Sequence, residues 1–313
     1  STSYFSGDNQ VITGDGTAFY DLIIEPANSV TLSSGTNLTI HRDLVLLSGT
    51  LDDGGNYLDV NRNLYNNAMH VSSNPDAGGI RLSGSTQQII SIYTESAPTS
   101  GIAEFGRLEI DNSAGAVMMN DFSLNHDLTL STGILNIQNR LLLMAVESDI
   151  QGGPFSASKM IQSSGNAGDG GIRKYFDMTV SDFNFSYPLG VAGKFTPVNL
   201  SGVNLTQDCY ITVFPVDTYH PTIVTGDPNR VLQYYWTIES NIGEFDGQIV
   251  FSYDQSDVMG NESAYYKALL KPFDDTWAKL STGVDHAVNT IGYNYTGSNA
   301  VNVDNFNGYY TAG

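Results

Sequence analysis

Paired carboxylates are the residues of this chain most able to do chemistry. Two acids a few ångströms apart could cleave a glycosidic bond, one as general acid and the other as base or nucleophile. The neighbouring pairs are Asp8/Asp15, Asp52/Asp53, Glu104/Glu109 and Asp274/Asp275. With 33 acids in 313 residues, such neighbours arise from composition alone, and Asp favours turns through its side-chain hydrogen bonds. A polysaccharide lyase would instead set a Lys or Arg base beside carboxylates that hold calcium. The bases of the first half, Arg42, Arg62, Arg81, Arg107, Arg140 and Lys159, are scattered. No catalytic residue is assigned, and the chain reads as a non-enzyme.

The histidines, His41, His70, His126, His220 and His286, lack metal-ligand spacing and read as surface or turn residues. Calcium is the ion these loops could take, since it binds oxygen ligands from Asp-rich turns. Its candidate ligands are Asp227, Asp246, Asp254 and Asp257. None sits in an ordered calcium-loop motif, so no cofactor is expected beyond that ion. Tyr219, Tyr235 and Tyr266 are candidates for stacking on sugars, with packing as their default role.

These residues sit on a repeated framework. Phe19 to Leu51 returns in degenerate form as Phe105 to Leu135. Asp43-Leu44-Val45-Leu46 matches Asp127-Leu128-Thr129-Leu130, a shift of 84 from position 43 to position 127. Arg42 lies in the turn HRD, whose counterpart NHD carries His126, which suits a turn role. Apolar pairs such as Leu22/Ile24, Val30/Leu32, Leu38/Ile40 and Leu44/Leu46 are spaced i, i+2. That spacing puts both side chains on one face of a strand. A coarser series runs Leu22, Leu44, Leu64, Leu82, Leu108 and Leu128, in steps of 22, 20, 18, 26 and 20. It suits a solenoid with roughly 20 residues per coil, and the long repeat would then be about four coils. Leu44, Leu46, Leu128 and Leu130 should lie in its buried column.

The expected architecture is all-β: a right-handed parallel β-helix over residues 1–160, then an antiparallel β-sandwich over 161–313. The texture changes in the Gly- and Ser-rich stretch Gln151 to Gly171. The first strand is read at Val11-Ile12 and the last clear coil at Leu141-Leu142-Leu143 with Ala145-Val146. Polar inserts are read at Asn66 to Gly79 and Thr94 to Gly101. Beyond the boundary the strands lengthen, as in Phe176/Met178/Val180 and Tyr234/Trp236/Ile238. Trp236 and Trp277 are the expected large anchors of that core. Of Tyr234-Tyr235, one ring should face in and one out. The second unit is expected to cap the last coil, whose strand edges would otherwise be open.

Thirteen bases against the 33 acids give a net charge of −20. Nucleic acid is therefore excluded as a partner, since phosphate binding needs a basic face. Cys209 is the single cysteine, so no internal disulfide forms, and it reads as a small core residue. No apolar run is long enough to span a bilayer as a helix, and no membrane insertion is expected.

Several phrases carry a family resemblance. They are Phe-x-x-Leu-x-Ile followed by Leu-x-Leu-x-x-Gly-x-Leu at 19–51 and 105–135, Tyr187-Pro188-Leu189-Gly190, Tyr235-Trp236-Thr237-Ile238, and the closing Gly308-Tyr309-Tyr310-Thr311-Ala312-Gly313. Together they resemble the large repetitive surface proteins of Bacteroidota exported by the type IX secretion system, which include gliding-motility adhesins. The resemblance covers nearly the whole chain. It implies a secreted, cell-surface stalk or adhesin module on the bacterial outer surface. Its partners would be other modules of the same long protein, surface polysaccharide or the secretion machinery. It carries no catalytic motif. The sorting domain that such proteins carry at the C-terminus is not seen, so the chain reads as a fragment or internal module of something longer. The alternative is a carbohydrate-active enzyme or carbohydrate-binding module built on a β-helix.

Overall fold

The computed structural model describes residues 1–74, 77–93, 103–223, 227–271, 274, 277–282 and 284–313. The insert expected at 94–101, Pro75 and Asp76 of the insert at 66–79, Gly226 and Asp275 lie outside them. The chain divides into two compact units, Ser1–Ile161 and Gln162–Gly313.

The first unit is a parallel β-helix with three short strands per coil. Among the described residues each of its three faces stacks seven strands. The first face runs from Thr2–Phe5 through Asp21–Ile24, Leu44–Leu46, Leu64–Asn66, Gln88–Ser91 and Ala116–Met118 to Leu135–Gln138. The second runs from Gln10–Ile12 to Leu141–Met144, and the third from Thr17–Phe19 to Ile150–Gln151. Each strand is so short because only one or two of its side chains can point into a narrow core. Those positions hold mostly Leu, Ile, Val and Met, with Phe at Phe105 and Phe122. On the first face Leu22, Leu44, Leu64, Ile90 and Met118 lie in register, one per coil. All are at most 1% exposed. Burying each contributes roughly 1.5–3 kcal/mol, and the column is continuous because every coil covers the one before.

Leu44, Leu46, Leu128 and Leu130 are all buried, as the repeat predicts. The phase of that repeat differs from expectation. Leu44 lies on the first face, whereas Leu128 lies on the third, paired with Leu108. The match therefore spans three coils and two further faces. The coarse leucine series likewise mixes faces: Leu22, Leu44 and Leu64 stack on each other, but Leu82 pairs with Ile110 on the third face. All three faces ask for the same strand-and-turn unit, so sequence similarity recurs without respecting the coil. The first strand is Thr2–Phe5, earlier than Val11-Ile12, and Ala145-Val146 lies beyond the strand that ends at Met144.

The second unit is built from two antiparallel layers. One orders Gly171–Phe176, Cys209–Val216, Tyr235–Ser240, Gly308–Ala312, Tyr266–Leu270 and Ala278–Thr282. The other orders Phe183–Tyr187, Val198–Leu205, Glu244–Ser252 and Thr290–Asn294. Aromatic rings close the space between them. Trp236, fully buried, packs 5.0 Å from Phe251, and Phe251 stacks at 5.0 Å on Tyr310. Cys209 is buried in the first layer.

Three local expectations change here. Met178 and Val180 are exposed, because the strand ends at Phe176 and turns. Trp277 is only partly buried and rests edge-on against His220, 5.3 Å between ring centres. Tyr234 and Tyr235 are both buried, because the outer side of their strand is also covered: Tyr235 packs against His220 and Tyr309.

Candidate functional site

The acids of the coils do not converge; they run along the stack. Asp21 Oδ1 accepts the Asp43 N–H at 3.4 Å, and Asp43 Oδ1 accepts the Asn63 N–H at 3.1 Å. Asn63 Oδ1 then accepts the Ile89 N–H at 3.0 Å. Asp8 takes the Ala27 N–H, Asp15 the Asn37 N–H and Asp127 the Asp149 N–H in the same way. Each acid at such a corner satisfies a backbone donor one coil on, where no strand partner exists. This explains the recurring Asp before Leu-x-Leu.

The arginines interleave with these acids. Arg42 bridges Asp21 and Asp43, at 3.2 and 3.7 Å. Arg81 reaches Asp59 at 3.2 Å on one neighbouring coil and Glu109 at 2.9 Å on the other. Its guanidinium lies 3.8 Å from the Tyr57 ring centre. Burial pushes the Asp59 carboxyl up, with Arg81 opposing it. Glu104, the other half of the Glu104/Glu109 pair, lies on the second face and holds Asn125 at 3.0 Å.

The pair Asp52/Asp53 splits. Asp52 is half-buried at the corner and accepts the Gly54 N–H. Asp53 turns fully inward and meets His70, which is also fully buried rather than on the surface. The Asp53 Oδ2 to His70 Nε2 distance is 3.1 Å, and Ser72 Oγ donates to the same oxygen at 2.5 Å. Ser, His and Asp side chains thus meet as they would in a hydrolase, but the wiring is different. Nucleophilic catalysis needs the hydroxyl to give its proton to the imidazole. Here Ser72 gives it to Asp53 and accepts the Arg107 N–H at 2.9 Å. His70 Nδ1 accepts the Gly106 N–H at 3.2 Å, so the ring is the neutral Nε2–H tautomer and has no free base. Gly106 permits this approach, since a Cβ there would lie 2.4 Å from Ser72 Oγ. The cluster is a satisfied polar plug in an apolar column. Register could have revealed it: His70 pairs with Leu51, an inward position.

In the second unit the calcium candidates serve separate turns. Asp227 accepts the Asn229 N–H, Asp254 the Ser256 N–H and hydroxyl, and Asp246 the Gly297 N–H. The Ser256 donors hold the Asp254 carboxyl below its ordinary value. Asp257 is buried against Lys194, whose Nζ lies 2.5 Å from Asp257 Oδ1 and 2.6 Å from Asp217 Oδ1. Among the described residues no group of three or more His, Cys, Asp or Glu side chains is arranged to hold a metal ion.

Tyr219 and Tyr235 come together at one cleft of about 520 Å³, beside Asn166, Thr218, Pro221 and Pro228. Only Tyr219, 37% exposed, offers a ring face; Tyr235 is 2% exposed and forms the floor. Burial pushes the Tyr235 hydroxyl up to about 12. His220, expected in a turn on the surface, is buried behind it, 4.9 Å from the Tyr235 ring. Tyr266 lies elsewhere, with the Lys279 ammonium 4.8 Å from its ring centre.

Among the described residues no helix is long and apolar enough to cross a membrane. No protein-family model, curated protein or solved structure matches the chain.

Proposed function

We propose that the chain is a non-catalytic structural and adhesive module of a secreted cell-surface protein, a stalk or adhesin segment. One observation carries this reading: the polar groups of the coils are spent on the neighbouring coil. Asp21, Asp43 and Asp127 hold the backbone of the next coil, and Arg81 ties a coil to both its neighbours. A substrate groove would leave charged groups facing a common space. The net charge of −20 suits a permanently solvated surface. Export by a type IX system and a part in gliding motility follow from the family resemblance and belong to the same proposal. Protease shaving of intact cells that make the protein tests it. Release of the module without lysis is expected; protection until the cells are broken would overturn the surface location.

A second reading is carbohydrate binding in the second unit, favoured by the exposed Tyr219 ring beside Asn166 and Thr218 at the cleft. Aromatic faces and a few polar groups are what sugar sites use. Titration with neutral and acidic polysaccharides, comparing the chain with Tyr219→Ala, decides it. Saturable binding lost in the variant supports this reading, and equal retention by both sinks it.

A further inference from the structure

We propose that Lys194 and Asp257 condense into an intramolecular amide, with Asp217 carrying the proton. The inference stands independently of where the protein resides. Three segments distant in sequence bring these groups together. Lys194 opens the strand Lys194–Phe195, Asp217 follows the strand Cys209–Val216, and Asp257 closes the single turn Gln255–Asp257. Nζ lies 2.5 Å from one Asp257 oxygen and 2.6 Å from one Asp217 oxygen. Both separations are shorter than the roughly 2.7–2.9 Å of an ordinary ammonium–carboxylate bond.

The two carboxylates differ in surroundings. The Asp257 side chain is 4% exposed, and its second oxygen, Oδ2, is buried with no hydrogen-bond partner. A buried carboxylate is stable only when both oxygens are satisfied. An amide carries no charge, so condensation removes the buried carboxylate charge that the unpartnered Oδ2 leaves poorly satisfied. The Asp217 side chain is 38% exposed and gives water a way out. The Tyr234 ring lies 5.9 Å from Nζ and is pinned by its hydroxyl to Thr196, which closes the other side. Burial also pushes the Asp257 carboxyl up, toward the neutral acid that an amine can attack. Lys194, which burial alone would lower, is held up by its bonds to Asp217 and Asp257, so the amine is the minor form.

The step balances without any outside reagent. The Lys194 ammonium passes one proton to Asp257, leaving a neutral amine beside a carboxylic acid. The Nζ lone pair forms a bond to Asp257 Cγ. The Asp217 carboxylate takes a proton from nitrogen and delivers it to the departing hydroxyl. The C–OH bond breaks, water leaves, and Asp217 is regenerated beside the remaining amide N–H. No atom changes oxidation state.

Intact-mass measurement of the denatured full chain tests the proposal. The expected mass is one water below that of the sequence. A digest should contain a branched peptide joining the segments that carry Lys194 and Asp257. Lys194→Arg keeps the charge but lacks the amine, and should show the full sequence mass. Asp217→Ala should also show it. A wild-type mass equal to the sequence overturns the proposal, as does a water loss that persists in Lys194→Arg.

Discussion

Ser72 gives its hydroxyl hydrogen to Asp53 and not to His70. That one choice of acceptor turns three potentially catalytic side chains into part of the core. Asp53 also accepts the Gly55 N–H at 2.7 Å, so its carboxylate holds three donors inside the coil stack.

Asp53→Ala should therefore be costly. It strands the His70 ring N–H and the Ser72 hydroxyl in a closed space and the Gly55 N–H at its half-buried edge. Each buried donor left unmade costs about 1–3 kcal/mol, so a loss of roughly 3–5 kcal/mol is expected. Asp52→Ala, one residue away at the half-buried corner, should cost about 1 kcal/mol or less. Urea denaturation of both variants measures the contrast. Equal losses would show that the inward cluster is not what holds this corner.

Leu128→Asp should unfold several coils together. Leu128 is fully buried, paired with Leu108 on one neighbouring coil and Ile150 on the other. An unpaired charge there destroys an interface shared by two coils, at a cost of more than about 4 kcal/mol. Hydrogen exchange should speed up together at Leu108, Leu128 and Ile150. Unchanged protection at those amides would contradict the register.

Alkali should act on the second unit through its tyrosines. Burial pushes the hydroxyls of Tyr187, Tyr234, Tyr293 and Tyr310 well up, and that of Tyr235 to about 12. A raised acid binds its proton more tightly when folded than when unfolded. Stability from this source is complete below pH ~10 and falls as the pH climbs through the folded values. Phenolate absorbance should lag behind that of free tyrosine and then rise together with loss of structure. Smooth titration near the ordinary value with the fold intact would contradict the burial of these rings.

Cys209 should be inert while the unit is folded. It is buried, and desolvation pushes its thiol up to about 11. Only the thiolate is a nucleophile, so at pH ~8 well under a hundredth is reactive. Alkylation by iodoacetamide should be slow in native protein and complete in denaturant. Rapid native labelling would place this residue at the surface.

Much of the fold was legible because strand period and turn chemistry are local. The i, i+2 pairs such as Leu44/Leu46 and Leu128/Leu130 point to buried strands, and those side chains are buried. What local pattern could not give was phase, since every face uses the same Leu-x-Leu unit. The polar interior was hidden for a related reason. Asp53, His70 and Gln88 look like surface residues until the register sets them in the column. Gln88 then donates to the Val60 and Arg62 carbonyls and accepts from Asn112 and Gly84. In the second unit the alternation rule failed at Tyr235, because a second aromatic group covers the far side of its strand. The pairing of Lys194 with Asp217 and Asp257 joins residues 23 and 63 positions apart, beyond the reach of any local pattern.

An apolar column of interchangeable leucines is like an unmarked ruler: slid by one division, it reads the same. The inward polar clusters break that degeneracy. If the coils above Asp53 were displaced by a single face, His70 and Ser72 would lose the acceptor they share, and the Gly106 N–H would lose His70. The same holds one coil on, where Gln88 and Asn112 bond each other at 2.9 Å. These side chains add little apolar burial. They act as index marks that let a chain of near-identical strands wind in one frame. Substituting both members of a mark by leucine should leave the coils helical but free to settle in more than one alignment.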